Sequence, residues 1–315
     1  MKPYQRILAC EEQIAPGITA CQGCNVELTL RTVMRVIGKN SILAIPPGCM
    51  GGTRVVGWAD ESGCKVPVFF PMLTNTASML AGIKMHYTSI GRDDVHVVGF
   101  AGDGGTVDIG FQALSGAAER GDNIIYICYD NEGYMNTGYQ RSSSTTKGAA
   151  TSTTPVGKVI PGKRQHKKDF PMIMAMHDLP YMATCSPAYI PDMMAKVEKA
   201  KNVKNGLAYL HVFNTCSSGW GGAPEKSVES CRMSVQTRYF PLFEVENGKF
   251  KITVPVKSPK PVGEFLKYFK KFKHLTVENI QELQARTDEK WERLVALTEI
   301  GRDKEAAAPA DQGGQ

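Results

Sequence analysis

The chain has 315 residues, 42% of them hydrophobic and 22% charged, with a formal net charge of +6 and nine cysteines. These are the proportions of an ordinary globular protein, large enough for one α/β domain with appendages. They exclude a membrane-spanning chain, because no apolar run approaches the roughly 20 residues needed to cross a bilayer. The opening stretch, MKPYQRILACEEQ, has no apolar secretion core, so the expected location is the cytoplasm.

In chain order, residues 1–60 read as an N-terminal segment that carries cysteines and glycines around one helix, ELTLRTVMRVIG. Residues 61–220 read as an α/β core. DVHVVGFAG (94–102) is a buried strand, and TVDIGFQALSGAAERG (106–121) has helical apolar spacing that stops at Gly121. NIIYICYD (123–130), YMATCS and LAYLHVFN (207–214) are further strands, with FPMIMAMHDLP and PDMMAKVEKAKN (191–202) as helices between them. This alternation predicts a mostly parallel sheet with helices on both faces, whose ligands lie beyond the carboxyl ends of the strands. Residues 141–168, rich in Ser, Thr and Gly without periodicity, predict a long functional loop. Residues 221–301 read as a C-terminal extension with helices over 262–300, and residues 302–315 as a disordered tail.

The odd cysteine count in a chain of this size argues against disulfide staples and for ligands, catalytic groups or core fillers. Cys128 and Cys185 sit in apolar strand runs and are expected in the core. Two basic clusters, KVIPGKRQHKKD and LKYFKKFKH, are expected to form a solvated charged face. The sharper alternative is a surface that steers an acidic partner, through Lys267, Lys270, Lys271 and Lys273. There is no nucleic-acid-binding module.

Two constellations carry chemistry. Gly102-Asp103-Gly104-Gly105 follows a strand and opens a helix, where glycines let a phosphate come close to the backbone. Asp103 would repel a phosphate directly and suits a Mg²⁺ that bridges the diphosphate to the protein. The next strand ends in Asp130-Asn131-Glu132-Gly133, so Asn131 can face Asp103 from the same sheet edge, twenty-eight residues on. The second constellation is Cys21-Gln-Gly-Cys24 with Cys49 and Cys216, both in glycine-rich surroundings. Spacing alone leaves a 4Fe–4S cluster, a zinc site and redox or inert cysteines open.

Together these stretches resemble a known family. GDG followed at this distance by Asn is the fingerprint of thiamine diphosphate enzymes. AGDGGTVDIGFQALSGAAERG, YDNEGYMNTGYQRS, TTPVGK and KKD resemble the beta subunit of pyruvate and related 2-oxoacid:ferredoxin oxidoreductases over roughly residues 15–300. CQGC, GCM and TCSSGWGG fall where that family places four cluster cysteines. The resemblance implies the diphosphate-binding module of the thiamine diphosphate fold. It implies Mg²⁺ on Asp103, Asn131 and the Gly133 carbonyl. Gly102, Gly104, Gly105, Asn136 and Thr137 would surround the cofactor, with Asn136 nearest the reaction, and one 4Fe–4S cluster would sit on Cys21, Cys24, Cys49 and Cys216. The implied reaction is oxidative decarboxylation of a 2-oxoacid, pyruvate first, with electrons passed to ferredoxin and the acyl group usually to coenzyme A.

Gly133 stands where the family usually has Ala, and Ser142–Lys147 and Met50–Arg54 are atypical, so oxalate or another 2-oxoacid is the alternative substrate. A cluster-free thiamine decarboxylase or synthase and a zinc-stabilised scaffold are the rival readings. The chain has no room for the module that holds the aminopyrimidine. An alpha subunit carrying that module is therefore an expected partner, with a ferredoxin-like subunit beside it.

Overall fold

The computed structural model describes residues 9–53, 55 and 63–306, together with Gln5, with backbone alone for 301–306. Among the described residues eight strands form one sheet: β1 (Ser41–Ala44), β2 (Val68–Phe69), β3 (His96–Gly102), β4 (Ile125–Asp130), β5 (Tyr181–Cys185), β6 (Ala208–Phe213), β7 (Phe243–Glu246) and β8 (Lys249–Ile252). Their spatial order is β2-β1-β3-β4-β6-β5-β7-β8. The first six run parallel, and β7 is antiparallel to both its neighbours, β5 and β8. Every position of β4, β5 and β6 is buried, as expected of strands covered on both faces.

The helices are α1 (Asn25–Ile37), α2 (Thr76–Ser89), α3 (Phe111–Glu119), α4 (Phe170–Ala175), α5 (Ile190–Asn202), α6 (Ser217–Trp220), α7 (Ser227–Gln236), α8 (Gly263–Leu266) and α9 (Val277–Ala306). On one face Leu30 and Val33 of α1 and Val197 of α5 pack on Phe100, Ile127 and Leu210. On the other, Leu80 of α2, Leu114 of α3 and Phe170 of α4 pack on Ala101, Cys128 and Tyr209. A third, aromatic core gathers Phe213, Trp220, Phe240, Phe265 and Phe269 beyond the strand ends. Cys128 and Cys185 are completely buried, as their strand runs imply. None of the described helices is long and apolar enough to cross a membrane.

The structure departs from the sequence reading in four places. The helix expected over 106–121 is split into a π-helical turn, Gly104–Asp108, and α3. A Cβ on Gly110 would lie 2.1 Å from the Gly105 carbonyl oxygen, so the widened turn needs its glycine. The C-terminal extension holds a hairpin as well as helices. Asn247 and Gly248 (φ 49° and 77°) make the tight turn between β7 and β8, which extend the main sheet. Helix α9 runs to Ala306, past the start of the expected disordered tail, and residues 307–315 lie outside the described residues. β1, β2 and α2 were not foreseen, and β1, which lies within residues 1–60, pairs in the sheet between β2 and β3. Residues 141–168 contain no named strand or helix.

Lys196 shows how the layers are fastened. Its ammonium is buried under α5 and donates to the Thr184 carbonyl at the end of β5 (2.8 Å), to Asp192 (2.6 Å) and to Thr253 Oγ1 (2.7 Å). Lys196→Ala should destabilise the protein by about 3 kcal/mol, because it leaves the Asp192 carboxylate without its cation. Urea unfolding checks this, and an unchanged midpoint would show that the ammonium contributes nothing.

Candidate active site

β3 and β4 are parallel neighbours in a register that pairs Gly102 with Tyr129. Asp103 and Asn131 therefore leave the sheet side by side. The Asn131 backbone N–H donates to Asp103 Oδ1 at 3.3 Å, and the Ser142 hydroxyl donates to Asp103 Oδ2. One terminal atom of the Asn131 carboxamide stands 3.1 Å from Asp103 Oδ1 and 3.0 Å from the Gly133 carbonyl oxygen. If that atom is the nitrogen, it donates to both. If it is the oxygen, three oxygens converge with no proton among them, an arrangement that suits a divalent cation. Asp103 has no exposure. Burial, and then the Asp130 carboxylate, push its carboxyl well above the usual range, so a nearby positive charge is what would keep it ionised.

Above these groups lies a cavity of about 100 Å³, lined by Gly102, Gly104, Gly105, Asn131, Gly133, Asn136 and Thr137 among others. The structure thus brings together every cofactor-binding residue expected from sequence, with Asp103 buried behind the lining. Two glycines have steric reasons. A Cβ on Gly104 would lie 2.3 Å from the Tyr134 ring, whose hydroxyl donates to the Gly104 carbonyl (3.1 Å). A Cβ on Gly133 would press 2.8 Å from both the Gln140 carbonyl oxygen and Met135 Cε. Thr137 is exposed, and its hydroxyl donates to the Tyr134 carbonyl (3.4 Å) and to Gln140 Oε1.

Cys21, Cys24, Cys49 and Cys216 line a second cavity, of about 200 Å³. Cys24 caps α1, and its N–H donates to the Cys21 carbonyl (3.1 Å). Between them Gly23 (φ 66°) abuts Pro224 so closely that a Cβ would lie 2.4 Å from the Pro224 carbonyl oxygen. Cys216 caps α6 and accepts the Gly219 N–H at 3.2 Å. The Asn25 amide, beside Cys24, donates to the Thr215 carbonyl (3.2 Å), Thr215 Oγ1 (3.0 Å) and the Ser227 carbonyl (3.1 Å), and so pins the N-terminal segment to the segment of Cys216. Burial pushes the Cys24 thiol up to about 11 and Cys49 up to about 12, and the neighbouring cysteines add to both. Such thiols would ionise only with metal to hold the thiolate. Among the described residues, no three His, Cys, Asp or Glu side chains stand close enough to ligate a single ion.

The two cavities share a wall. Cys49, Asn131, Met135 and Asn136 line both. The other terminal atom of the Asn131 carboxamide faces Cys49 Sγ at 3.7 Å, and its backbone carbonyl accepts the Trp220 indole N–H (2.9 Å).

Glu132, which sequence reasoning passed over, anchors this wall from behind. It is fully buried at φ 58°, and its carboxylate accepts from Lys271 (2.9 Å), Lys167 (3.0 Å), Thr146 (3.0 Å) and the Tyr239 hydroxyl. Burial pushes this carboxyl up, but the two ammoniums and the Tyr239 hydroxyl outweigh it and hold it at about 2. The expected solvated face holds at Lys158, Arg164, Lys168, Lys267, Lys270 and Lys273, which are exposed, and is corrected at Lys271 and Lys163. Lys271 is buried rather than solvated, lies 3.0 Å over the Trp220 ring centre and ion-pairs with Glu132. Lys163 is buried and donates to the Thr145 carbonyl, and Lys267 pairs with Glu264. Ser142 was also missed as a partner of Asp103. The cue for Glu132 was available, since Asp130, Asn131 and Glu132 are three successive polar residues that close an apolar strand run. Nothing in the sequence pointed to Lys271, which lies 139 residues away.

The family of thiamine pyrophosphate enzymes, C-terminal TPP binding domain, matches residues 48–212. The beta subunit of NADH-dependent phenylglyoxylate dehydrogenase from Aromatoleum evansii is 46% identical, over 94% of this chain and 67% of its own. Pyruvate synthase subunit PorB of Methanothermobacter thermautotrophicus is 45% identical, over 90% and 98%. Ketoisovalerate oxidoreductase subunit VorB of Pyrococcus furiosus is 46% identical, over 92% and 94%. The solved 2-oxoglutarate:ferredoxin oxidoreductase from Magnetococcus marinus superposes with a TM-score of 0.55 at 20% identity, over 69% of this chain and 68% of that one, and so shares the fold. The chain therefore belongs to the thiamine pyrophosphate-dependent 2-oxoacid:ferredoxin oxidoreductases, as a beta subunit.

Proposed function

We propose that this subunit holds thiamine diphosphate through Mg²⁺ in the first cavity and a 4Fe–4S cluster in the second, and that the assembled enzyme oxidatively decarboxylates pyruvate. The observation that carries this reading is the shared wall. A glycine-lined cavity over Asp103, the Asn131 carboxamide and the Gly133 carbonyl abuts a cavity lined by four cysteines, with Asn131 and Asn136 on both. Ligands of one cubane lie on different irons, so its cysteines need not crowd about a single ion. When bound, the cofactor supplies an electron sink for loss of CO₂, and the cluster accepts the electrons one at a time.

The chain's own residues then have definite tasks. Asp103, the Asn131 amide oxygen and the Gly133 carbonyl would hold the cation, with Ser142 and the Asn131 N–H fixing the Asp103 carboxylate. Gly102, Gly104 and Gly105 let the diphosphate approach the backbone. Asn136, exposed between the cavities, is the side chain assigned to hydrogen-bond the reacting carbonyl. Phe70, Met72 and Ile109, 49%, 63% and 53% exposed, flank this region and suit cover by an alpha subunit that grips the aminopyrimidine. Ferredoxin and coenzyme A complete the proposed partners, and a reducing compartment such as the cytoplasm suits the four proposed cluster thiolates.

Identity does not choose the substrate, because relatives named for pyruvate, ketoisovalerate and phenylglyoxylate are equally similar to this chain. Turnover of a 2-oxoacid panel, oxalate included, by the assembled enzyme tests the choice. Preference for another acid would replace pyruvate but keep the reaction class.

Two substitutions test the centres. Asp103→Ala should weaken thiamine diphosphate binding at least tenfold, about 1.4 kcal/mol. Calorimetry on the assembled enzyme measures this, and unchanged affinity would remove Asp103 from the cation site. Cys24→Ser and Cys49→Ser should each lose the iron–sulfur absorbance and the EPR signal of anaerobically reduced protein. Survival of the full signal in both would return these thiols to the inert reading.

A further inference from the structure

We infer that the Asn131 carboxamide is a two-position element, set by the cation site, that makes an N–H···S hydrogen bond to Cys49 only when the cofactor is loaded. The inference rests on the cation and cluster assignments proposed above and concerns how one centre informs the other.

Asn131 is 3% exposed, and its backbone is fastened at both ends. Its N–H donates to Asp103 Oδ1 at 3.3 Å, and its carbonyl accepts the Trp220 indole N–H at 2.9 Å. With the backbone held at both ends and the side chain buried, the motion left to it is a half-turn about the Cβ–Cγ bond, which exchanges the amide oxygen and nitrogen. The two ends of the amide face opposite chemistries. One end lies 3.1 Å from Asp103 Oδ1 and 3.0 Å from the Gly133 carbonyl oxygen. The other lies 3.7 Å from Cys49 Sγ.

Without a cation, nitrogen belongs at the first end. There it donates to Asp103 Oδ1 and to the Gly133 carbonyl, and the amide oxygen is left facing the sulfur. With a cation, oxygen belongs at the first end as a ligand, because a hydrogen-bond donor pointed at the metal would be repelled. The half-turn that satisfies the cation delivers the N–H to Cys49. Two oxygens at one end and a sulfur at the other mean that a single amide cannot serve both centres in the unloaded state.

A donor to a cluster sulfur stabilises the more negative, reduced state and raises the reduction potential. Loading the cofactor would thus prepare the cluster to accept electrons, and reduction would in turn tighten cofactor binding by the same factor. The charge of the cation raises the potential as well, without any amide. Asn131→Asp separates the two effects, since it keeps an oxygen for the cation and removes the N–H.

The test uses the assembled enzyme, expressed with asparagine carrying ¹⁵N in the side-chain amide. Pulsed EPR of the reduced cluster is recorded with and without Mg²⁺–thiamine diphosphate. We expect a ¹⁵N coupling in the loaded enzyme that is lost on removing the cofactor and absent from the loaded Asn131→Asp variant. We also expect cofactor loading to shift the potential further in the parent enzyme than in the variant. A coupling of equal strength in both states, no coupling in either, or an equal potential shift in parent and variant would overturn the inference while leaving the cluster assignment intact. Absence of any iron–sulfur signal from the loaded parent enzyme would overturn the cluster assignment itself, and the inference with it.

Discussion

The Glu132 carboxylate is closed off from water, and the geometry of the whole site follows from how that charge is answered. Lys271 comes from the segment before α9, Lys167 and Thr146 from the long loop, and Tyr239 from the segment after α7. Four groups from three regions thus converge on one residue held at φ 58°, a conformation that a non-glycine residue adopts only at some cost. Its neighbours Asn131 and Gly133 face Asp103. The Lys271 ammonium also rests on the ring of Trp220, whose indole N–H holds the Asn131 carbonyl. Asn131, Glu132, Lys271 and Trp220 therefore form a closed circuit of covalent, ionic, cation–π and hydrogen-bond links. Breaking such a buried pair from one side leaves an uncompensated charge, which costs several kcal/mol, whereas a solvated pair costs little.

What could be read from sequence and what could not divide along a physical line. The parallel core was legible because β4, β5 and β6 are buried on both faces, and full burial writes itself as uninterrupted apolar runs. The meeting of Asp103 and Asn131 was legible because parallel neighbours must end on the same edge. β1 and β2 were not, being four and two residues long. The β7–β8 hairpin carried an Asn-Gly turn between alternating residues, a signal that was present and overlooked. The basic clusters misled at single lysines, because charge in a sequence does not reveal whether a carboxylate waits for it. Lys271 and Lys167 were read as surface charge, and their partner is a buried glutamate more than thirty residues from either.

The glycines between β3 and α3 show the same economy at smaller scale. The π-helical turn widens the backbone where a helix was expected, and Gly104 and Gly110 each leave room that a methyl group would fill with a clash. The widened turn lets Tyr134 lie against Gly104 and donate to its carbonyl, which ties the strand-end loop of β4 to that of β3. The floor of the first cavity is thereby fixed by backbone shape, and its polar groups are left free to face inward.

The circuit through Glu132 also has a bearing on how the chain matures. Its members are separated by 139 residues, and the amide of Asn25 reaches its partner Thr215 across 190. Contacts of such long sequence separation close late, because the loops between them must first lose their freedom. During synthesis from the N-terminus, Asn131 and three of the four cavity cysteines emerge long before Cys216 and Lys271. The pocket walls are thus completed only once Lys271 has emerged. Insertion of an inorganic centre would be timed by the arrival of the C-terminal segment, and a chain interrupted before it would present open thiols without a finished site.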